Sequence, residues 1–484
     1  MKSLLLLILF VYLLFLNTSS ISSQKIIARS QVKKIADILV DLNGKTIDGI
    51  YGNNINGLSF QQDLVISFKG FQYIVYYDDQ NRLCLCRRNL KQEKIETIRF
   101  SDYKYRGGSD AHCTPSIGFC AQDGTLHLAF DHHNDELHYK KSIPDLLKFP
   151  EKFEWKENNF SSVRNYLELN AEPITELCYP RFIPRPNGGL QFIYRKGGSG
   201  NGDRVLLDYD PNKSVWVNRH LIDSGEGHFE DEFGISTTRC SYPNGYTYDE
   251  KGTLHCTFVW RESSEGSNHD LMYMKSPDQG NTWLNNIGDT IGCNNGLLKV
   301  NVESKGIKVV DISRKESLMN SQAQDIDSEG RIHVVMWHKN PNVPYKAGKW
   351  WLPLQSSYFH YYRDNKSAWH RYSIPSPVGN RPVLCFDKQD DAYLVYLINA
   401  IPAAFKNDIY FDKGLMIIAK ATKKNGWKDW KIIHKESDFF LNEMKVDVNR
   451  FKEQGVLSVF VQDTPAKAGD ASRIRMFDYK IYSK

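Results

Sequence analysis

The sequence predicts an all-β fold, a seven-bladed β-propeller with four-stranded blades. Three observations predict it: a hairpin pattern that recurs seven times, a near-constant spacing between the copies, and one complete Asp-box turn.

Each copy is a polar turn, usually with Gly, followed by a strand of alternating apolar residues. The copies lie within 68–77, 123–130, 187–194, 250–258, 329–336, 390–396 and 454–460. A turn between two period-two segments is a β-hairpin. The turn residues Gly70, Gly124, Gly188, Gly252, Gly330, Asp391 and Gly455 are 54, 64, 64, 78, 61 and 64 positions apart. Regular spacing means one structural unit repeated. A unit of about 64 residues accommodates four strands and their loops, which is one propeller blade. The 78-residue unit carries an insertion, placed around Asn294 to Met319.

The segment Ser276-Pro-Asp-Gln-Gly-Asn-Thr-Trp283 fits S-x-D-x-G-x-x-W, with weaker echoes at Asp364 to Trp369 and Asp210 to Trp216. Its Asp and Gly shape a turn while the Trp packs between strands, so it reports fold and not chemistry. The best short helix candidate is Val32 to Leu42.

Composition agrees with this reading. Of 484 residues, 13% are aromatic, with 26 Tyr and 25 Phe, which favours strands. The length alone suggests two or three domains, but the repeat makes 24–484 a single propeller. The formal net charge of +5 is spread along the chain. Without a concentrated basic stripe, nucleic acid is not an expected partner. A mildly basic surface tolerates an anionic substrate.

Residues 1–23 read as a signal peptide. Lys2 supplies the positive end, Leu4 to Leu16 the apolar run of thirteen, and cleavage falls near Ser23. Thirteen residues are short for a membrane span. The expectation is a secreted or periplasmic monomer with no membrane attachment after processing.

Nine cysteines are scattered along the chain, an odd number without a C-x-x-C pair, so no dense disulfide framework is expected. Cys84 and Cys86 would share one face of a strand. Cys240, His255 and Cys256 carry metal-ligating atoms. However, neighbouring strand residues point to opposite faces, which keeps His255 and Cys256 from sharing an ion easily. No cofactor is expected to be required, and a structural metal ion is the minor alternative.

Candidate chemistry follows from hairpin geometry. Residues just before the first strand and just after the second strand of a blade share one rim. In the second to fifth units these are His112 and His132 (with His133 beside it), Tyr179 and Arg195, Tyr242 and Arg261, and Gln322 and His338. Acid/base and anion-binding groups from successive blades would ring one mouth of the channel. His127, His255 and His333 recur inside second strands and read as structural. The Gly-rich run Gly197 to Gly202 lacks the Lys-Ser/Thr ending of a phosphate loop, and its expected use is close backbone approach to a ligand.

These residues carry a resemblance. Asn56 to Asp63, Asp110-Ala-His-Cys-Thr-Pro-Ser116, Asp131-His-His-Asn134, Tyr179-Pro-Arg-Phe182, Tyr194-Arg-Lys-Gly-Gly-Ser-Gly200 and Tyr242-Pro-Asn244 resemble the bacterial-neuraminidase-repeat propellers that include ulvan lyases. The resemblance runs in order along nearly the whole chain after residue 23. It implies a polysaccharide lyase acting on an acidic, uronate-containing polymer of ulvan type. It implies Arg195 as neutraliser of the uronate carboxylate and His112 and Tyr179 as base and acid, in either order. His132 and Tyr242 would assist or position the sugar. His133, Arg261, Gln322 and His338 would contact flanking sugars. Adjacent positions in Asp-His-His-Asn leave the register between His132 and His133 open. Two other classes compete: a sialidase-like hydrolase, which needs three Arg and a Tyr–Glu pair, and a non-catalytic carbohydrate-binding propeller.

Overall fold

A computed structural model describes residues 31–482, except 50–51, 59–62, 169–170, 264–266, 340–355, 377, 380, 400–413 and 442. The signal-peptide expectation for 1–23 lies outside the described residues. Among the described residues no helix is long and apolar enough to cross a membrane.

Among the described residues seven antiparallel blade sheets follow one another along the chain, with a separate two-stranded hairpin, Phe229–Asp231 with Gly234–Ser236, between the third and the fourth. Blade I comprises Val65–Phe68, Phe71–Tyr77, Arg82–Asn89 and Ile95–Lys104. Blade II comprises Ser116–Cys120, Thr125–Ala129 and Tyr139–Lys141, and among the described residues its outer position is held by the bridges Tyr139↔Arg164 and Ser142↔Phe160. Blade III is Leu177–Pro184, Leu190–Gly198, Asn201–Asp210 and Val215–Asp223. Blade IV is Arg239–Tyr248, Leu254–Glu262, Asn268–Ser276 and Thr282–Leu284, widened by Thr290–Cys293 and Lys308–Val310. Lys308–Val310 falls in the segment where the long repeat places its insertion, and Thr290–Cys293 lies just before it. Blade V is Ala323–Ile326, Ile332–Lys339, Ser356–Arg363 and Trp369–Ile374, and blade VI is Val383–Phe386, Ala392–Asn399, Gly414–Ala421 and Lys431–Phe440. Blade VII is Lys445–Val446, Val456–Gln462 and Ser472–Ile481, and its outer strand is Val32–Gly44 from the other end of the chain.

The second strands show why the blades pack as a ring. Phe71–Tyr77 and Ile332–Lys339 are buried at every position. A strand buried on both faces needs cover on both sides, which neighbouring blades supply. Six of the seven predicted turn residues are glycines at positive φ, between +66° and +82°. In blade VI the left-handed residue is Asp390 (φ +60°), one position before the predicted Asp391. Aspartate tolerates that conformation through its short polar side chain. In blade VII the hairpin turn contains a helix, Val448–Gln454, capped by Asp447 accepting from the Arg450 amide at 3.0 Å.

The segment Val32 to Leu42 is a strand and not the predicted helix. Ile35, Leu39 and Leu42 sit at helical spacing, but all three are exposed on the outer edge of blade VII. Register Val32↔Ile481 to Gly44↔Ser472 fixes the segment as the closing strand. Tertiary pairing here overrides local periodicity.

The Asp-box forms as expected. Asp278 accepts from the Thr282 amide at 2.7 Å, Ser276 Oγ accepts from the Gly280 amide at 2.6 Å, and Trp283 is buried in blade IV. The structural histidines also pair across strands: His127 with Tyr139 at 2.7 Å, His255 with Tyr273 at 2.8 Å and His333 with His360 at 2.9 Å. All nine cysteines are free thiols.

Trp283→Ala is expected to lower unfolding free energy by about 3–5 kcal/mol, as for other fully buried aromatics, with the urea midpoint as the measurement.

Candidate active site

Four local devices on blades II, III and IV converge on one cluster. The first is the stretch after Ala129. Asp131 (φ +63°) and Asn134 (φ +67°) flank the two adjacent histidines, so simple strand alternation ends there. Asp131 is fixed by Tyr103 Oη at 2.5 Å and the Arg106 amide at 2.7 Å. The short strand His133–Asp135 then pairs with Leu177–Pro184, setting His133 opposite Cys178.

The second device is a bulge. The register between Leu177–Pro184 and Leu190–Gly198 slips between Cys178 and Arg181, and Tyr179 takes φ +54°. A non-glycine residue in this region directly before a proline is strained. The bulge re-aims Tyr179, as bulges beside functional sites do.

The third device holds Arg195. Cys178 and Arg195 are cross-strand partners. Arg195 is 3% exposed; its Nε donates to Gly197 O at 3.1 Å and Nη1 to Cys240 Sγ at 3.6 Å. Its guanidinium lies 4.7 Å from the Tyr179 ring centre and 5.3 Å from that of Tyr242. Nη2 is buried and has no hydrogen-bond partner.

The fourth device is Asp110. One carboxylate oxygen meets His112 Nδ1 at 2.5 Å and the other meets His133 Nδ1 at 2.5 Å. The two imidazoles stack, with centres 4.1 Å apart and planes 15° from parallel. Tyr179 lies 6.1 Å from His112 and 6.0 Å from His133, and 5.8 Å from Tyr242. Asp110, His112, His133, Tyr179, Arg195 and Tyr242 therefore form one contiguous cluster.

The environment sets their protonation. Burial, with the neighbouring His133, lowers His112 to about 4 against the pull of Asp110. Burial alone would raise Asp110, but hydrogen bonds from His112 and His133 hold its carboxyl well below the usual range. Burial, reinforced by Tyr242, pushes Tyr179 well above the usual phenol value despite Arg195. At neutral pH the site thus holds a neutral imidazole, a protonated phenol and a guanidinium.

The remaining sequence-predicted residues divide. His132 is not in the cluster. It is fully buried, its Nε2 accepts the His138 amide at 2.8 Å, and its ring stacks on His138. The positive-φ residues on either side turn His133 to the site instead. His338 is also fully buried, with Nε2 on Tyr361 Oη at 2.7 Å and Nδ1 on Glu316 at 3.0 Å, so it braces blade V and does not face the site. Arg261 is half-buried opposite Cys240, next to the strand that carries Tyr242. Gln322 lies in the wall of the channel, a cavity of about 340 Å³, with its amide on Met319 O at 3.2 Å.

The Gly-rich run serves its own blade contact. The Gly200 amide donates to Cys240 Sγ at 3.1 Å, and a Cβ there would meet the Ser263 backbone at 2.7 Å. The close approach is to blade IV. Sequence reasoning missed Asp110, although its spacing from His112 as Asp-x-His was visible.

The Cys240, His255 and Cys256 trio does not assemble. Cys256 Sγ accepts from Arg204 at 3.2 Å, and His255 bonds Tyr273 and Asp249. Among the described residues one trio, Asp110, His112 and His133, brings ligand-type atoms within 4.8 Å of one another. Its short carboxylate–imidazole contacts are those of hydrogen-bonded pairs.

Comparison with known proteins fits this architecture. The chain resembles the long isoform of ulvan lyase from Glaciecola sp. (strain KUL10), at 23% identity over 347 residues. The match covers 62% of this chain and 33% of the relative. It also resembles the counterpart from Pseudoalteromonas sp. (strain PLSV), at 25% over 207 residues, covering 36% of this chain and 20% of the relative. The chain thus spans between a fifth and a third of the length of these curated relatives. Its fold is that of polysaccharide lyase Uly1 (TM-score 0.69, 16% identity, 93% of this chain and 100% of that one). It is also that of a PL25 ulvan lyase bound to -[GlcA(1-4)Rha3S]- (TM-score 0.61, 13% identity, 90% and 94%). The model of the BNR repeat-containing family matches residues 71–376, nearly two-thirds of the sequence, and the chain belongs to that family.

Proposed function

We propose that the protein is a polysaccharide lyase that cleaves a uronate-containing acidic polysaccharide of ulvan type by β-elimination. The observation that carries this reading is Arg195. Burying a guanidinium with one nitrogen unsatisfied is costly unless a ligand completes it. A planar carboxylate beside the Tyr179 ring would do so by charge-assisted hydrogen bonds. The names of the relatives and of the solved structures support the same class.

The chemistry assigns roles that the sequence left open. Arg195 neutralises the uronate carboxylate, which lets negative charge develop at C5. His112, neutral by burial, suits the base, and His133 takes the place beside it that His132 was expected to fill. The C5–H proton moves to a histidine nitrogen, and its bonding pair becomes the C4–C5 double bond. The C4–O bond breaks with its electrons on oxygen. Tyr179, protonated by virtue of its raised pKa, returns a proton to that oxygen. Tyr242 packs against Tyr179 and Arg195 and would position the sugar. No step calls for a cofactor.

A sialidase-like hydrolase fits less well. Glycosidases use two carboxyl groups across the scissile bond. The carboxylate in the cluster, Asp110, is engaged by both histidines. A binding propeller does not call for a stacked histidine pair on one carboxylate. The leader-like segment 1–23 and a polymeric substrate together favour export from the cell.

Incubation with ulvan and other uronate polymers is expected to raise the ultraviolet absorbance of unsaturated uronate. Arg195→Ala is expected to reduce that rate by about 10²–10³-fold, the loss usual for one charge-stabilising donor. Reducing sugar without absorbance would indicate a hydrolase. His133→Ala is expected to abolish turnover by about 10²-fold or more, whereas His132→Ala lowers the thermal midpoint with kcat largely kept. The reverse pattern would restore His132 to the site.

The pH profile is a further check. A base must be neutral, and burial lowers His112 from 6.5 to about 4. Activity therefore stays level as pH falls through 6.5 and declines only as pH approaches that lower value. An acid limb centred at 6.5 would exclude His112 as the base.

A further inference from the structure

We infer that Asp110 is a positioning residue that makes His112 and His133 a single proton-accepting unit, holding both rings as Nδ1–H tautomers with both Nε2 atoms directed to the same side. The inference rests on the lyase reading for its catalytic consequence, but not for its geometry.

The geometry leaves little choice of tautomer. An ionised carboxylate only accepts hydrogen bonds. Each oxygen of Asp110 meets one ring at Nδ1, both at 2.5 Å. Each Nδ1 must therefore carry its proton, and in the neutral ring Nε2 carries the lone pair. The rings are stacked 4.1 Å apart and 15° from parallel. Rings that share one carboxylate through the same nitrogen and lie nearly parallel turn their opposite nitrogens the same way. Asp110 is itself locked, because Oδ1 also accepts the His112 backbone amide at 2.9 Å.

Two consequences follow for proton transfer. First, the carboxylate stabilises the imidazolium formed when either Nε2 takes the C5 proton, as a carboxylate does in other acid–base pairs. This offsets the burial that otherwise disfavours charge on His112. Second, two imidazoliums in a 4.1 Å stack repel strongly in a partly buried setting. The unit accepts one proton per turnover, because charge on His133 lowers the basicity of His112.

The test is Asp110→Asn, which keeps shape but replaces one acceptor oxygen with a donor. The amide can keep only one ring as Nδ1–H and turns the other to the Nε2–H tautomer. In ¹⁵N-histidine NMR spectra, assigned with His112→Gln and His133→Gln, wild-type protein is expected to show the Nδ1–H tautomer at both rings. Asp110→Asn is expected to switch one of them. The variant's kcat should fall by about 10²–10⁴-fold, the range of acid–base contributions, with KM changed far less. Either ring appearing as Nε2–H in wild type overturns the proposal, and this reading needs no folded variant. A tautomer switch with wild-type kcat also overturns it. So would a shift of either ring when a chelator is added, which would make the trio a metal site. Failure of wild type to form unsaturated product would count against the lyase reading, while the spectra would still decide the tautomers.

Discussion

Ring closure is the constraint on which the rest of this molecule depends. Blade VII supplies only three strands of its own, and Val32–Gly44 provides the fourth. That strand is tied to both of its neighbours. Lys34 pairs with Glu436 of blade VI at 2.8 Å, while Asp41 accepts from Tyr76 and Arg99 of blade I, each at 2.7 Å. Exposed ion pairs contribute little alone. Asp41 is buried, however, and its two donors come from the blade that follows in the ring. One strand thus joins the last blade to the first, and every other blade can be covered on both faces.

A closed ring lets strain persist where it is useful. Tyr179 adopts a left-handed conformation before a proline, and Arg195 keeps a buried nitrogen unsatisfied. Each feature costs free energy and would relax in a mobile loop. Here the strands on either side are locked in sheets, and blade IV holds the cluster through Cys240, which receives both Arg195 and the Gly200 amide. The cluster draws on three blades whose spacing no single loop can alter. This is preorganisation in the physical sense: the groups are aligned before any ligand arrives.

The fold was largely legible because its signals are local. A glycine turn between alternating strands is readable wherever it occurs, and seven copies leave few alternatives. Val32 to Leu42 was misread for the complementary reason. Its exposed Ile35, Leu39 and Leu42 mimic a helical stripe, while its true partner is more than 400 residues away. Within the site, Tyr179, Arg195 and Tyr242 were legible from rim geometry. The choice between His132 and His133 was not, because it depends on backbone dihedrals at Asp131 and Asn134 that no pattern of side chains reveals. His338 occupies the expected rim position, but Glu316 and Tyr361 turn it into a brace. Asp110 escaped notice because its importance lies in touching two rings from different loops.

The closing strand also dictates an order of assembly. Blades I to VI take their strands from contiguous chain, apart from His133–Asp135, which crosses from blade II to blade III, and need only local loop closure. Blade VII cannot form until Ser472–Ile481 exists to receive Val32–Gly44. During synthesis the early strand must therefore remain without this backbone partner until Ser472–Ile481 has been made. The slowest loop to close is the largest one. Until that final pairing forms, blades I and VI each lack the cover they have in the finished ring.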